Sequence, residues 1–81
     1  MYDELKDSII SGDVSKAKPL TQKFLDEKKN PEDILNNGLV AGMDVVGQRF
    51  GAYEMYLPEI ILSANAMKTA MDLLKPHLSK L

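Results

Sequence analysis

The sequence predicts an all-α domain, a four-helix antiparallel bundle spanning residues 1–81. Three observations carry that prediction. Apolar residues recur every three or four positions along nearly the whole chain. Glycine, proline and capping residues cut this pattern into four segments joined by short connections. The β-branched pairs Val45-Val46 and Ile60-Ile61 both lie inside longer helical periods, so strand signals are weak.

The first helix is expected near residues 2–11, with Tyr2, Leu5, Ile9 and Ile10 on one face. Gly12 can take the left-handed cap that ends it, and Asp13 can cap the next start. The second helix, near 14–29, is lined by Val14, Ala17, Leu20, Phe24 and Leu25. Pro19 removes one backbone donor there and predicts a slight irregularity. Lys28 and Lys29 at its end suit the helix dipole. The third helix, near 31–50, opens on Asn30 as cap, Pro31 in the first position, and Glu32 and Asp33 in the first turn. Leu35, Leu39, Met43, Val46 and Phe50 follow as its apolar stripe, and the helix is expected to end near Gly51. After a loop to about Tyr56, Leu57-Pro58-Glu59 starts the fourth helix, near 57–75. Leu57, Ile61, Ala64, Met67 or Lys68, Met71, Leu74 and Leu78 continue its spacing, and Pro76 is expected to disturb or end it.

Glycine is the unusual feature. Gly38, Gly42 and Gly47 fall inside the third helix, and each interior glycine costs about 0.5–1 kcal/mol relative to alanine. Gly38 and Gly42 share a face and permit close approach of another helix. Gly47 lies on a different side, where it relaxes the helix end or offers a flat surface to a planar ligand. Ser63, Ala64, Ala66 and Ala70 are matching small residues on the fourth helix, so helices three and four are expected to pack closely. That arrangement collects Phe50, Tyr53, Met55, Tyr56 and Leu57 at one end of the bundle. Such a cluster is either a local core or an interaction patch.

Composition excludes several function classes. The chain has no cysteine, so it holds no disulfide, thiolate nucleophile or zinc–cysteine site. With His77 as its one histidine, it builds neither a two-histidine metal site nor a histidine relay. A net charge of -2 lacks the clustered positive excess of a nucleic-acid footprint, so no nucleic-acid partner is expected. No apolar run approaches a membrane span and no secretory leader opens the chain, so a cytoplasmic location without membrane contact is expected. Glu54 and Glu59, the acids nearest the aromatic cluster, have no histidine or lysine beside them and make a poor acid–base pair. They face solvent or serve the fourth helix's dipole.

The segment Asn37-Gly38-Leu39-Val40-Ala41-Gly42-Met43-Asp44-Val45-Val46-Gly47-Gln48-Arg49-Phe50-Gly51 resembles the glycine-punctuated third helix of the helical cap domain of corrinoid proteins. The following Met55-Tyr56-Leu57-Pro58-Glu59-Ile60-Ile61-Leu62-Ser63-Ala64-Asn65-Ala66-Met67-Lys68 is similar to that family's next segment. Gly-Met-x-x-Val-Gly, then Phe-Gly, then Leu-Pro-Glu is specific as a set. The resemblance covers the whole chain, and most strongly residues 36–76. It points to the methyl-carrying proteins of methanol and methylamine methyltransferase systems, and cobalamin-dependent methionine synthase carries a similar module. It implies a four-helix cap that precedes a doubly wound cobalamin-binding domain and covers the upper face of the corrin. By this resemblance Phe50, Leu57 and Ile60 lie over that face. An apolar lid there excludes water from a labile methyl–cobalt bond without offering a competing ligand.

The resemblance also implies cobalamin as cofactor of a longer parent, with substrate-specific methyltransferases and the parent's own cobalamin-binding domain as partners. This chain alone is expected to bind cobalamin weakly, because the lower-ligand motif Asp-x-His-x-x-Gly is absent and His77 reads as a surface residue near a helix end. The module itself is expected to be non-catalytic, and the isolated chain to self-associate through its uncovered patch. Two other readings stand beside this one. A helical oligomerisation domain with no ligand predicts that Phe50 and Leu57 are buried. The cap of a cobalamin-dependent light-sensing regulator requires a Trp and a Glu-His pair where this chain has Phe50, Ile60 and Ile61.

Overall fold

Capping chemistry divides the chain where the sequence suggests. The computed structural model describes residues 2–78, which form helices α1 (Asp3–Ser11), α2 (Val14–Asp26), α3 (31–51) and α4 (Leu57–Leu78), with no strand among the described residues. Gly12 takes φ 71°, and its amide and that of Asp13 close α1 onto the Ile9 and Ser8 carbonyls. The Asp13 carboxylate accepts from the Ser15 hydroxyl at 2.6 Å and the Lys16 amide at 3.2 Å, opening α2. Those bonds, the Ser15 hydroxyl's first, hold the Asp13 carboxyl below its usual range. The helix passes through Pro19 and ends at Asp26, short of the expected 29. The cause is Lys28, which adopts φ 64° while the Lys28 and Lys29 amides fold back to the Leu25 and Phe24 carbonyls. Asn30 caps α3 by accepting from the Glu32 amide at 2.8 Å, with Pro31 in the first turn.

The third helix is not one regular helix. It runs as α-helix over Pro31–Ile34, as π-helix over Leu35–Val40, and again as α-helix over Ala41–Gly51. The Ala41 amide reaches back five residues to the Asn36 carbonyl. A π turn inserts a residue without adding rotation. Its effect is on the buried face, which consists of Ile34, Gly38, Leu39, Gly42 and Val46. In an uninterrupted helix, at about 100° per residue, these five would spread over about 140°. The inserted residue narrows the spread to about 85°. The expected stripe is corrected accordingly: Leu35 and Met43 are only partly buried, and Ile34, Gly38 and Gly42 take the interior.

The glycine pair of α3 receives α1 rather than α4. A Cβ on Gly38 would lie 2.8 Å from Leu5 Cδ2, and one on Gly42 would lie 2.8 Å from Ile9 Cβ and 3.1 Å from the Lys6 carbonyl oxygen. Leu5 and Ile9, both fully buried, fill the space that the absent side chains leave. On α4, Ser63 meets the end of α1. Ser63 Oγ donates to the Ile10 carbonyl at 3.2 Å, and α4 also packs extensively along α2. At the far end, Tyr2 stacks edge-on against Phe24 with centroids 4.9 Å apart. Burial pushes the Tyr2 phenol above its usual value, and the Asp33 carboxylate adds to this. The fourth helix continues through Pro76 to Leu78, because buried Leu74 and core-packed Leu78 hold the last turns.

Within α4 the interior face is Ser63, Ala66, Ala70 and Leu74. The expected Leu57-Ile61-Ala64 stripe faces outward over the first half of the helix. Small residues point in and large apolar residues point out, the reverse of a helix built only to stabilise its own domain.

Candidate functional site

The outward apolar residues converge at the junction of α3 and α4, and local hydrogen bonds set their positions. The Tyr53 amide donates to the Phe50 carbonyl at 3.1 Å and the Glu54 amide to the Arg49 carbonyl at 2.7 Å, closing α3 with Tyr53 at φ 61°. Two residues on, the Tyr56 amide donates to Glu59 Oε1 at 2.9 Å, the side-chain half of a capping box for α4. Glu59 is therefore a helix cap. Met55 turns inward and is buried beneath the loop, so of the five clustered residues it alone joins the interior.

The other four face out. Phe50 is 50% exposed, Leu57 62% and Tyr53 90%, and Tyr56 is also exposed. They line an open depression of about 310 Å³ together with Gly51 and the edge of Met55. Phe50 and Leu57 are thus brought together as the sequence suggests. Ile60 sits one turn further along α4, half-buried and outside that depression. Ile61, which its spacing places on the core stripe, is 53% exposed and extends the apolar face one turn beyond Leu57. Its four-residue spacing from Leu57 is the signal that pairs them. The exposure of Phe50 and Leu57 runs against the oligomerisation reading's requirement that both be buried in the domain.

Gly47 lies three residues before Phe50 on α3 and is exposed, and a Cβ added there would meet nothing within 4 Å. The two kinds of glycine in α3 therefore respond oppositely to alanine. Gly42→Ala is expected to destabilise the bundle by about 1–3 kcal/mol through overpacking against Ile9 and the Lys6 carbonyl. Gly47→Ala is expected to stabilise it by about 0.5–1 kcal/mol. Thermal melts of the two variants check the sign.

The chemistry available here is limited and specific. The surface offers aromatic and aliphatic groups, and of the two acids beside it Glu59 is committed to a backbone amide while Glu54 is exposed in the loop. Among the described residues no three metal-ligating side chains cluster, and His77 is exposed in the last turn of α4. Among the same residues no helix is long and apolar enough to cross a membrane. The site can cover a flat apolar partner and exclude water from it.

Comparison with known proteins agrees with this geometry. The family described as B12 binding domain matches residues 1–75. Monomethylamine corrinoid protein 1 of Methanosarcina mazei is 40% identical over 80 residues, which cover 99% of this chain and 37% of that protein. A corrinoid protein of Desulfitobacterium hafniense is 41% identical over 80 residues, again 37% of its length. The chain thus spans little more than a third of these relatives. The solved structure of the Methanosarcina barkeri monomethylamine corrinoid protein superposes with a TM-score of 0.93 at 38% identity, over 98% of this chain and 37% of that one. An all-helical fold, an apolar face turned outward at the α3–α4 junction and a family match across nearly the whole length converge on one conclusion: this chain belongs to the B12 binding domain family.

Proposed function

We propose that this chain is the cap module of a corrinoid protein that carries a methyl group on cobalamin for substrate-specific methyltransferases. The supporting observation is the inversion on α4, where Leu57 and Ile61 face outward beside Phe50 while serine and alanine fill the interior. Among the described residues nothing covers that face. The residues fit a lid: their side chains are apolar, face outward and carry no metal-ligating group. A cobalt corrin, when bound by the parent's own cobalamin-binding domain, supplies the methyl-transfer chemistry. In this reading residues 1–81 are the cap, the module is non-catalytic, and the parent works in the cytoplasm.

Each residue has a definable task. Phe50 and Leu57 cover the centre of the ring, and Ile60 backs Leu57 from the partly buried side of α4. Together they exclude water from the upper face at rest. The cap withdraws when a methyltransferase docks, because the acceptor must come within about 3–3.5 Å of the transferring atom.

The test is a graft. This chain replaces the matching segment of the Methanosarcina barkeri monomethylamine corrinoid protein, and the hybrid is loaded with methylcobalamin. Photolysis and cobalt oxidation are expected to be slowed relative to the same protein with the segment deleted. Equal rates in the hybrid and the deletion would remove the cap reading.

A further inference from the structure

Tyr53 combines two properties that nothing inside the domain explains. It occupies the left-handed closing position of α3 at φ 61°, where glycine would be unstrained. Gly12 holds the equivalent position after α1. Its ring is 90% exposed, so it adds almost nothing to the core in return. Lys28, the other non-glycine residue in this conformation among the described residues, closes α2 and lines none of the depressions at the α3–α4 junction. Tyr53 stands in the α3–α4 loop and lines the same depression as Phe50 and Leu57.

We infer that Tyr53 grips the rim of the corrin ring, its phenol hydroxyl hydrogen-bonding a carboxamide on the ring's edge while Phe50 and Leu57 cover the centre. This rests on the cap reading and adds a polar, orienting contact to an otherwise apolar lid. The chemistry is matched on both sides. The edge of a cobalamin corrin carries primary amides, each with a carbonyl acceptor and an N–H donor, and a phenol both donates and accepts. Tyrosine presents that group on a stiff two-torsion side chain, which loses little freedom on contact. The left-handed backbone turns the side chain out of the helix path at the loop tip. A Gly at this position would close α3 with less strain but would remove the grip.

The experiment uses the grafted, methylcobalamin-loaded protein with Tyr53→Phe, Tyr53→Gly and the Phe50→Ala/Leu57→Ala double variant, and it records melting of the 81-residue chain beside photolysis of the hybrid. Tyr53→Phe is expected to speed photolysis by about 2–12-fold, the factor carried by one ordinary hydrogen bond, without changing the melt. Tyr53→Gly is expected to speed it at least as much while raising the melting temperature. If Tyr53→Phe matches the parent rate while the double variant is faster, the hydroxyl contact is refuted and the lid stands. If Tyr53→Gly lowers the melting temperature, Tyr53 is a structural residue and the inference is overturned. If the double variant is also silent, the cap reading falls and takes this contact with it.

Discussion

Replacing Phe50 and Leu57 together by alanine is expected to leave all four helices formed and to expose the bound cofactor. Both side chains are half exposed or more, so the truncations remove only part of a buried residue's contribution, about 2 kcal/mol or less in total. Were they core residues, each site would cost about 2–5 kcal/mol and a domain this small would unfold. The functional effect is larger than the structural one. A loss of about 1.4 kcal/mol of closing energy, well within what two such apolar contacts supply, opens the cap about tenfold more often. Photolysis and cobalt oxidation in the grafted hybrid should accelerate by that factor, with unchanged helix content by circular dichroism. The same substitutions should shift the isolated chain toward monomer in sedimentation, since they remove the patch expected to drive self-association. Collapse of the helical signal in the double variant would restore the core reading.

Deleting a residue from the middle of a helix normally rotates everything after it by about 100°. Removing Asn37, which is exposed within the π segment, is expected to do no such thing. One residue fewer lets the segment become ordinary α-helix while Gly42 still faces Ile9 and Val46 stays inside. The deletion should therefore be folded and near neutral in stability. Removing Asp44, which is equally exposed but lies in regular α-helix, should fail. There the rotation is real: Gly47 moves into the place of Val46, and Gly51 takes the direction of Phe50. Loss of Val46 burial alone costs about 1.5–3 kcal/mol, and the lid is lost with it. Denaturant melts of the two deletions decide the matter, and comparable destabilisation would show that the π turn does not set the register.

Much of this was legible in the sequence because it depends on neighbours a few residues apart. Gly12-Asp13 and Asn30-Pro31 marked helix boundaries through local capping bonds, and those bonds are present. The cluster Phe50, Tyr53, Tyr56 and Leu57 was legible as a patch for the same reason: loop geometry keeps sequence neighbours together. The ends of α2 and α4 were less so. Lys28 closes α2 early in a conformation that lysine composition does not announce, and packing at Leu74 and Leu78 carries α4 past Pro76.

The sequence by itself determined four helices, their capped starts, and a glycine face on α3 that some helix must approach closely. Only the tertiary structure decided which helix that is and which way α4 turns. Periodicity reports that apolar residues share a face, but not what the face meets. Leu57, Ile61 and Ala64 form as regular a stripe as Ser63, Ala66, Ala70 and Leu74, and spacing alone assigned the wrong one to the interior. The choice is made by packing: the α1–α2 junction seats closely on α4, with Gly12 pressed against Leu62 and Ser63, and Ser63, Ala66 and Ala70 are buried on the interior face. Once that contact is made the larger side chains can only face outward. The apolar face proposed as the lid is thus a consequence of close packing on the opposite side of the same helix.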